Sequence, residues 1–166
     1  MFSKLYIAND HGGYEAKLML VKYLRDNGYS LEDMGSNNTE IVRYPYYAAK
    51  VAREVSRNTN CGGILICSTG IGMSIIANKF KGIRASLCTS GYMAKMTRRH
   101  NNSNIICLGG KITGEFEIYD IVDNWLNSEY EGGRHDISLR LITSAENDLF
   151  ADGECSLADI NSEEQL

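Results

Sequence analysis

The stretch ILICSTGIGMS, residues 64–74, decides the fold. Its first residues form an apolar run that ends in the thiol of Cys67, and a turn with two glycines follows at once. A buried strand, a short glycine turn and a helix together make the repeating unit of a parallel sheet. Because this strand is apolar throughout, we expect it to be buried on both faces, as central parallel strands are.

The same alternation of strand and helix extends over the whole chain. Strands are predicted at residues 4–9, 29–34, 62–68, 82–88 and 104–110, and helices at 14–27, 46–58, 73–80, 90–100, 115–130 and 136–148. In the first helix, Leu18, Val21 and Leu24 are expected to form the buried stripe. This order predicts one doubly wound, Rossmann-like α/β domain: a five-stranded parallel sheet with helices on both faces.

The composition is that of an ordinary globular protein, with 43% hydrophobic and 23% charged residues in a chain of 166. No apolar run approaches the length that a membrane span needs. The first residues, MFSKLYIAND, do not resemble a signal peptide. We therefore expect a cytoplasmic protein with no membrane partner.

Charge is unevenly distributed along the chain, whose net charge is −4. Seven of the 21 acidic residues follow Arg140 and none of the 17 basic residues does, so the preceding part is slightly positive. A mildly basic body suits a small anionic ligand better than nucleic acid, for which no basic stripe is visible. We expect residues 1–147 to form the domain and residues 148–166 an acidic C-terminal extension, loosely ordered or packed on the domain.

The five cysteines do not indicate a disulfide framework or a metal site. Their number is odd, they form no CxxC pair, and three of them lie in apolar, strand-like runs. Most are expected to be small buried hydrophobic side chains. Cys67 differs, because the glycine turn beside it suggests a catalytic role.

The turn CSTGIG after this strand matches none of three familiar glycine loops. It lacks the lysine of a phosphate-binding P-loop, Ile75 stands where a dinucleotide loop needs glycine, and Met73 stands where a cysteine phosphatase needs arginine. Two interpretations remain: backbone amides that cradle a small oxyanion, or a tight turn with no ligand. A helix N-terminus would favour the thiolate of Cys67, which could then act as a nucleophile or as a general base.

Other polar residues occur where strands or helices end. Asp10 and His11 follow the first strand, and ligands of such sheets bind at the carboxyl ends of strands where the strand order reverses. The alternative is a turn-capping aspartate beside a surface histidine. His100 and Asn101 close a helix instead, and would need to reach the site differently. Arg134 offers a guanidinium suited to phosphate.

Five stretches, taken in order, resemble one family, that of ribose-5-phosphate isomerase B and galactose-6-phosphate isomerase. They are NDHGG (9–13), YPYYA (44–48), GILICSTGIGMSIIANKFKGIRA (63–85), RRHNNSNIICLGGKITG (98–114) and WLNSEYEGGRH (125–135). The resemblance covers most of the chain before the acidic end. Because position 67 is a cysteine, the chain resembles the ribose-5-phosphate isomerase B branch of the family most closely. It implies homodimers, often dimers of dimers, in which a neighbouring subunit completes each active site.

The resemblance also implies roles for individual residues. Cys67 matches the general base that removes a proton beside the carbonyl, and His100 the group that helps to open the sugar ring. The other matching positions are Asp10 on the sugar hydroxyls, Thr69 together with Ser68, Gly70, Ile71 and Gly72 in the loop that stabilises the enediolate, and His11, Asn101, Lys111 and Arg134 on substrate and phosphate. This chemistry needs no metal and no redox cofactor.

Four positions depart from the family pattern. Ser68 replaces a usual glycine, Lys111 a common arginine, and Arg43 a common acidic residue. Ser138 stands where a second phosphate-binding arginine is frequent, and Arg140 lies about 200° away around a helix. Weaker phosphate binding or a different sugar phosphate would follow.

The sequence therefore predicts an aldose–ketose isomerase of ribose 5-phosphate and ribulose 5-phosphate. Two alternatives stay open. One is an isomerase of a six-carbon sugar phosphate, such as allose or galactose 6-phosphate, because pocket depth is not visible in the sequence. The other is a catalytically silent subunit that binds sugar phosphate.

Overall fold

The computed structural model describes residues 2–149, and within them five parallel strands form one sheet in the order β2-β1-β3-β5-β4. The strands are β1 (Lys4–Asn9), β2 (Leu31–Asp33), β3 (Cys61–Cys67), β4 (Ala85–Leu87) and β5 (Ile105–Gly109). The helices are α1 (Tyr14–Asp26), α2 (Tyr44–Arg57), α3 (Ile71–Ala77), α4 (Gly91–Asn101), α5 (Glu115–Leu126) and α6 (Arg134–Leu149). The predicted fold class is confirmed.

Two hydrophobic cores lie on the two faces of the sheet, because successive side chains of a strand point to opposite sides. In β3, Ile64 and Ile66 face a core built with α1, α4 and α5, whose largest member is the buried Trp125. Leu65 and Cys67 face the other core, built with α2 and α3. Every residue of β3 is buried, as its apolar sequence predicts.

The expected stripe of α1 is wrong at one position. Leu18 is 44% exposed, whereas Leu20 and Lys17 are buried. Positions 17, 20, 21 and 24 share one helix face at about 100° per residue, so Lys17 occupies the place that a hydrophobic residue would take. Its ammonium group is accommodated there by an ion pair of 2.6 Å with Asp33 at the end of β2.

Several element boundaries also differ from the prediction. β4 has three residues, and α5 ends at Leu126 rather than near residue 130. The segment after α5 turns through Gly132 and Gly133, both with positive φ, and α6 begins directly after them at Arg134. α6 continues past the predicted domain boundary at residue 147, and residues 150–166 of the predicted acidic extension lie outside the described residues.

The site is positioned by the point at which the strand order reverses. β1 has β2 on one side and β3 on the other, so the carboxyl ends of β1 and β3 lie next to each other. Asn9 pairs with Ile66, and Cys67 pairs with Gly109 of β5. None of the helices in residues 2–149 has the length and apolar character that crossing a membrane requires.

Candidate active site

Three loops meet at the carboxyl edge of the sheet and are joined by backbone hydrogen bonds. The amide of Asp10 donates to the carbonyl of Ile66 at 3.2 Å. After β5, the amide of Gly110 donates to the carbonyl of Cys67 at 2.7 Å, and that of Lys111 to the carbonyl of Ser68 at 3.1 Å. The loops after β1, β3 and β5 are therefore held in one rigid arrangement around Cys67.

Cys67 is the last residue of β3, and its thiol meets a backbone donor. The side chain is buried, and the amide of Gly70 donates to its Sγ at 3.0 Å. This hydrogen bond holds the sulfur beside the turn that precedes α3. Gly70 is needed there because its φ is +77° and because an added Cβ would lie 2.6 Å from Leu87 and 2.9 Å from the backbone of Leu108.

The remaining described cysteines behave as the sequence predicts, since Cys61, Cys88 and Cys107 are buried and free. Burial raises the pKa of the Cys88 thiol to about 12 and that of Cys107 well above its usual value. Both therefore remain protonated and unreactive at neutral pH.

The first turn of α3 presents backbone amides beside the thiol. The first bond within the helix is donated by Ser74 to the carbonyl of Gly70 at 3.1 Å, so the amides of residues 71–73 come before the helical ladder begins. The amide of Ile71 lies 3.4 Å from Oγ1 of Thr69. The predicted loop of residues 68–72 thus has the form of an anion cradle, with the ring of Tyr44 over Gly72.

Ser68, one of the departures from the family pattern, has its hydroxyl against Gly12. A Cβ built on Gly12 would clash with Ser68 Oγ and lie 3.0 Å from the Ser68 amide and 3.2 Å from Oδ1 of Asp10. The serine side chain therefore occupies the space that any side chain at residue 12 would need, next to the Asp10 carboxylate.

Asp10 has a structural role through one of its oxygens. Its Oδ1 accepts hydrogen bonds from the amides of Gly12 at 2.8 Å and Gly13 at 3.2 Å, which caps the short 3₁₀ turn His11–Gly13. No residue within 2–149 donates to its Oδ2, which stays available for a ligand. The capping interpretation and the binding interpretation of Asp10 thus apply to different oxygens of the same carboxylate.

His11 is anchored from outside the sheet. Its Nδ1 lies 3.3 Å from the amide nitrogen and 3.2 Å from the carbonyl oxygen of Val42, in the segment before α2. A ring held through Nδ1 leaves Nε2 for a ligand. Lys111, exposed after β5, lies beside the same loops.

The other predicted site residues lie at the opposite edge of the sheet. α4 runs back along the sheet, so the carbonyl of Asn101 accepts a hydrogen bond at 3.1 Å from Nε of Arg84, which directly precedes β4. The start of α6 lies beside this helix end, since the amide of Glu131 donates to the carbonyl of Arg99 at 3.0 Å. β5 alone separates the two edges by about 13 Å at ~3.3 Å per residue.

At this second edge, two histidines and a carboxylate form a compact cluster, here named the histidine pair. The rings of His100 and His135 are stacked, with centroids 4.3 Å apart and planes 13° apart. Oε2 of Glu131 lies 3.6 Å from Nε2 of His100 and 3.7 Å from Nε2 of His135, and the same carboxylate pairs with Arg99. Glu131 is not among the residues predicted from the sequence, although it precedes His135 by four residues.

The start of α6 shows how serine at position 138 changes the set of cations that could hold a phosphate. Arg134 and Ser138 are both exposed and lie one helical turn apart, so an arginine at 138 would stand beside Arg134. Arg140 lies two residues beyond Ser138, about 200° around the helix, so it stands on a different face from Arg134 and Ser138. Burial and a hydrogen bond to Asp136 raise the pKa of Tyr130, which precedes this helix.

Comparison with known proteins identifies the family to which this chain belongs. The Ribose/Galactose Isomerase family model matches residues 5–142, which is most of the chain. The chain belongs to this family, and the resemblance noted in the sequence is confirmed.

The relatives narrow the class further. Ribose-5-phosphate isomerase B of Escherichia coli (strain K12) is 42% identical over 143 residues, covering 86% of this chain and 96% of the relative. The structure of Clostridium thermocellum ribose-5-phosphate isomerase B matches with a TM-score of 0.86 at 44% identity, covering 88% of this chain and 99% of the other. Mycoplasma genitalium ribose-5-phosphate isomerase B, solved with bound ribulose-5-phosphate, matches with a TM-score of 0.86 at 35% identity, covering 89% and 99%.

Proposed function

We propose that this protein is a ribose-5-phosphate isomerase, which interconverts ribose 5-phosphate and ribulose 5-phosphate. The observation that carries the proposal is the position of the Cys67 thiol beside the first turn of α3. Its Sγ accepts a hydrogen bond from the Gly70 amide at 3.0 Å. Family membership and a relative that binds ribulose 5-phosphate support the choice of substrate.

The chemistry would proceed in two stages. In the first, the bond between C1 and the ring oxygen of ribose 5-phosphate breaks. His100 gives a proton to the ring oxygen, and the Asp10 carboxylate takes the proton of the C1 hydroxyl as the aldehyde forms. The linear aldose then lies with its C2–H bond at the Cys67 thiolate.

In the second stage, Cys67 acts as a general base. The thiolate takes the C2 proton, the electron pair of that bond forms the enediolate double bond, and the carbonyl oxygen gains the negative charge. Backbone amides at the start of α3, with Thr69, would stabilise this oxyanion. A proton then passes from the C2 hydroxyl to the C1 oxygen, and Cys67 returns its proton to C1. This gives ribulose 5-phosphate and regenerates the thiolate, so no oxidant or reductant is consumed.

The phosphate would be held by His11, Lys111 and Arg134. Lys111 supplies a point charge, whereas Arg134 supplies a guanidinium that can bind two phosphate oxygens at once. With Ser138 in place of a second arginine, this site has one guanidinium fork fewer than the family pattern.

We also propose a homodimer in which two chains share each active site. Cys67, Asp10 and the α3 loop lie at one edge of the sheet, and His100, Asn101 and Arg134 at the other, so a single chain does not unite them. A twofold arrangement that brings one edge against the opposite edge of a second copy would make two complete sites. Exposed apolar side chains next to the loop, Ile71 at 52% and Ile75 at 57%, offer a surface for that contact.

The test is the conversion of ribose 5-phosphate to ribulose 5-phosphate by the purified chain and by Cys67→Ala. Loss of a general base is expected to lower kcat by about 10²-fold or more, with the fold unchanged by circular dichroism. Turnover by Cys67→Ala at the wild-type rate would remove Cys67 from this role. Absence of turnover in the wild type, with six-carbon sugar phosphates converted instead, would reject the proposed substrate.

A further inference from the structure

Asn9, the last residue of β1, is a fully buried polar side chain directly before Asp10. Its Nδ2 donates a hydrogen bond to the carbonyl of Asp10 at 2.8 Å. Its Oδ1 is also buried, and it accepts no hydrogen bond within the part of the chain that the structure describes. A buried acceptor without a donor costs free energy, which an apolar residue of the same shape would avoid. The bond from Nδ2 is the contact that can offset this cost.

This bond matters to Asp10 because the other donor to the same carbonyl is shared. The Gly13 amide lies 3.1 Å from the Asp10 carbonyl oxygen and 3.2 Å from Asp10 Oδ1, so one N–H serves two acceptors. Asn9 gives the carbonyl a shorter bond of its own. Without Asn9, the Gly13 amide would be drawn towards the carbonyl, and Oδ1 would depend on the Gly12 amide at 2.8 Å. The direction of the carboxylate would then be less well defined.

Asn9 is itself held firmly from the side of β2. Its amide donates to the carbonyl of Gly35 at 2.7 Å, and its carbonyl accepts from the amide of Ser36 at 2.9 Å. The Gly35 amide donates in turn to Oδ1 of Asp33 at 3.0 Å, and Oδ2 of Asp33 pairs with the buried Lys17 at 2.6 Å. The buried lysine of α1 thus anchors the loop on which Asn9 rests.

We propose that Asn9 is a positioning residue, whose side-chain amide fixes the Asp10 carboxylate so that Oδ2 can take the proton of the C1 hydroxyl during ring opening. This inference rests on the proposed role of Asp10 in that step. Asn9 acts through Asp10 and does not itself touch the sugar. It holds the Asp10 carbonyl, which leaves the Gly13 amide free to orient Oδ1.

The first test is Asn9→Leu, which keeps the shape of the side chain and removes both the donor and the unpaired acceptor. The Asp10 carbonyl retains the Gly13 amide, so the melting temperature should stay within about 4 °C of wild type. The value of kcat/KM for ribose 5-phosphate should nevertheless fall about three- to tenfold, the effect of one neutral hydrogen bond. Asn9→Ala removes the same donor with a smaller side chain and takes its place if Asn9→Leu does not fold.

A second substrate assigns the effect to ring opening. Ribulose 5-phosphate is linear, because its C5 oxygen carries the phosphate. Exchange of its C1 hydrogen with deuterated solvent therefore needs the enediolate step but no ring opening. In Asn9→Leu this exchange should stay within about twofold of wild type.

A double variant tests whether Asn9 acts through Asp10. Asp10→Asn keeps an oxygen that can accept from the amides of Gly12 and Gly13 but loses the carboxylate that takes the proton. In this background, Asn9→Leu should change kcat/KM for ribose 5-phosphate by less than about twofold. The matched control is Ile7→Val, a buried residue on the same face of β1, which should lower the melting temperature and leave both reactions unchanged.

Each outcome has one meaning. An equal loss in the wild-type and Asp10→Asn backgrounds overturns the positioning role, because Asn9 would then act independently of Asp10. An unchanged kcat/KM in Asn9→Leu, or a loss of deuterium exchange equal to the loss of isomerisation, overturns it as well. A wild-type protein that neither isomerises nor exchanges contradicts the proposed function itself, and is recognised before any variant is made.

Discussion

If the active site is divided between two chains, two inactive variants should restore each other. Cys67→Ala keeps an intact His100 edge, and His100→Ala keeps an intact Cys67 edge. In a hybrid dimer of the two, one site receives Cys67 from one chain and His100 from the other and is complete, whereas the second site lacks both. Purified hybrids should therefore have about half the kcat of the wild-type dimer.

The low activity expected of each parent variant follows from the distance between the two edges of the sheet in one chain. β5 alone spans about 13 Å between the level of Cys67 and its first residue, and His100 lies a further five residues back in the chain. Proton transfer to one sugar needs contacts of about 3 Å to both groups, so one chain does not supply them together. Each parent variant alone should have about 1% of wild-type activity or less, which leaves the restored half easily measured.

The assay uses two affinity tags. The variants are co-expressed with different tags, hybrids are isolated by two successive affinity steps, and ribulose 5-phosphate formation is followed. A hybrid of Cys67→Ala with Cys67→Ser, prepared in the same way, is the control and should stay inactive. Hybrids of Cys67→Ala and His100→Ala that are no more active than their parents would refute the shared site, since each site would then be built within one chain.

Two further predictions concern the departures from the family pattern. Gly12→Ala should destabilise the protein by about 1–3 kcal/mol because its methyl group overlaps Ser68 Oγ, and Ser68→Gly in the same chain should restore much of the loss in a thermal melt; equal melting of the single and double variants would contradict this overlap. Ser138→Arg should lower KM for ribose 5-phosphate about three- to tenfold with little change in kcat, because a second guanidinium then stands one turn from Arg134, whereas Ser138→Gln, the uncharged control, should leave KM unchanged. A KM that is the same in all three proteins would show that the phosphate binds elsewhere.

Local patterns predicted the fold, and they selected the residues that gather at one edge of the candidate site. The apolar run before Cys67 and the glycine at position 70 can be interpreted without knowledge of tertiary contacts. Strand burial and a left-handed turn are properties of a few consecutive residues. The stripe of α1 was wrong because Lys17 is compensated by Asp33, a partner 16 residues away that periodicity does not reveal.

The histidine pair could not be predicted from local patterns either, because it too depends on contacts between distant parts of the chain. Its geometry depends on the packing of the start of α6 against the end of α4, which brings Glu131 to a helix that ends 30 residues earlier in the chain. His100 and His135 could be noted as unusual residues, but their stacking is a tertiary contact. In the sequence alone, Glu131 is one of 21 acidic residues and nothing local distinguishes it.

The shared space of Gly12 and Ser68 has a consequence for how such a chain can change over generations. While the Ser68 hydroxyl lies against residue 12, a side chain there requires that hydroxyl to turn away. Glycine at position 68 removes the contact, so a change at 68 eases a later change at 12. Position 68 thus influences which substitutions a loop 56 residues away can accept.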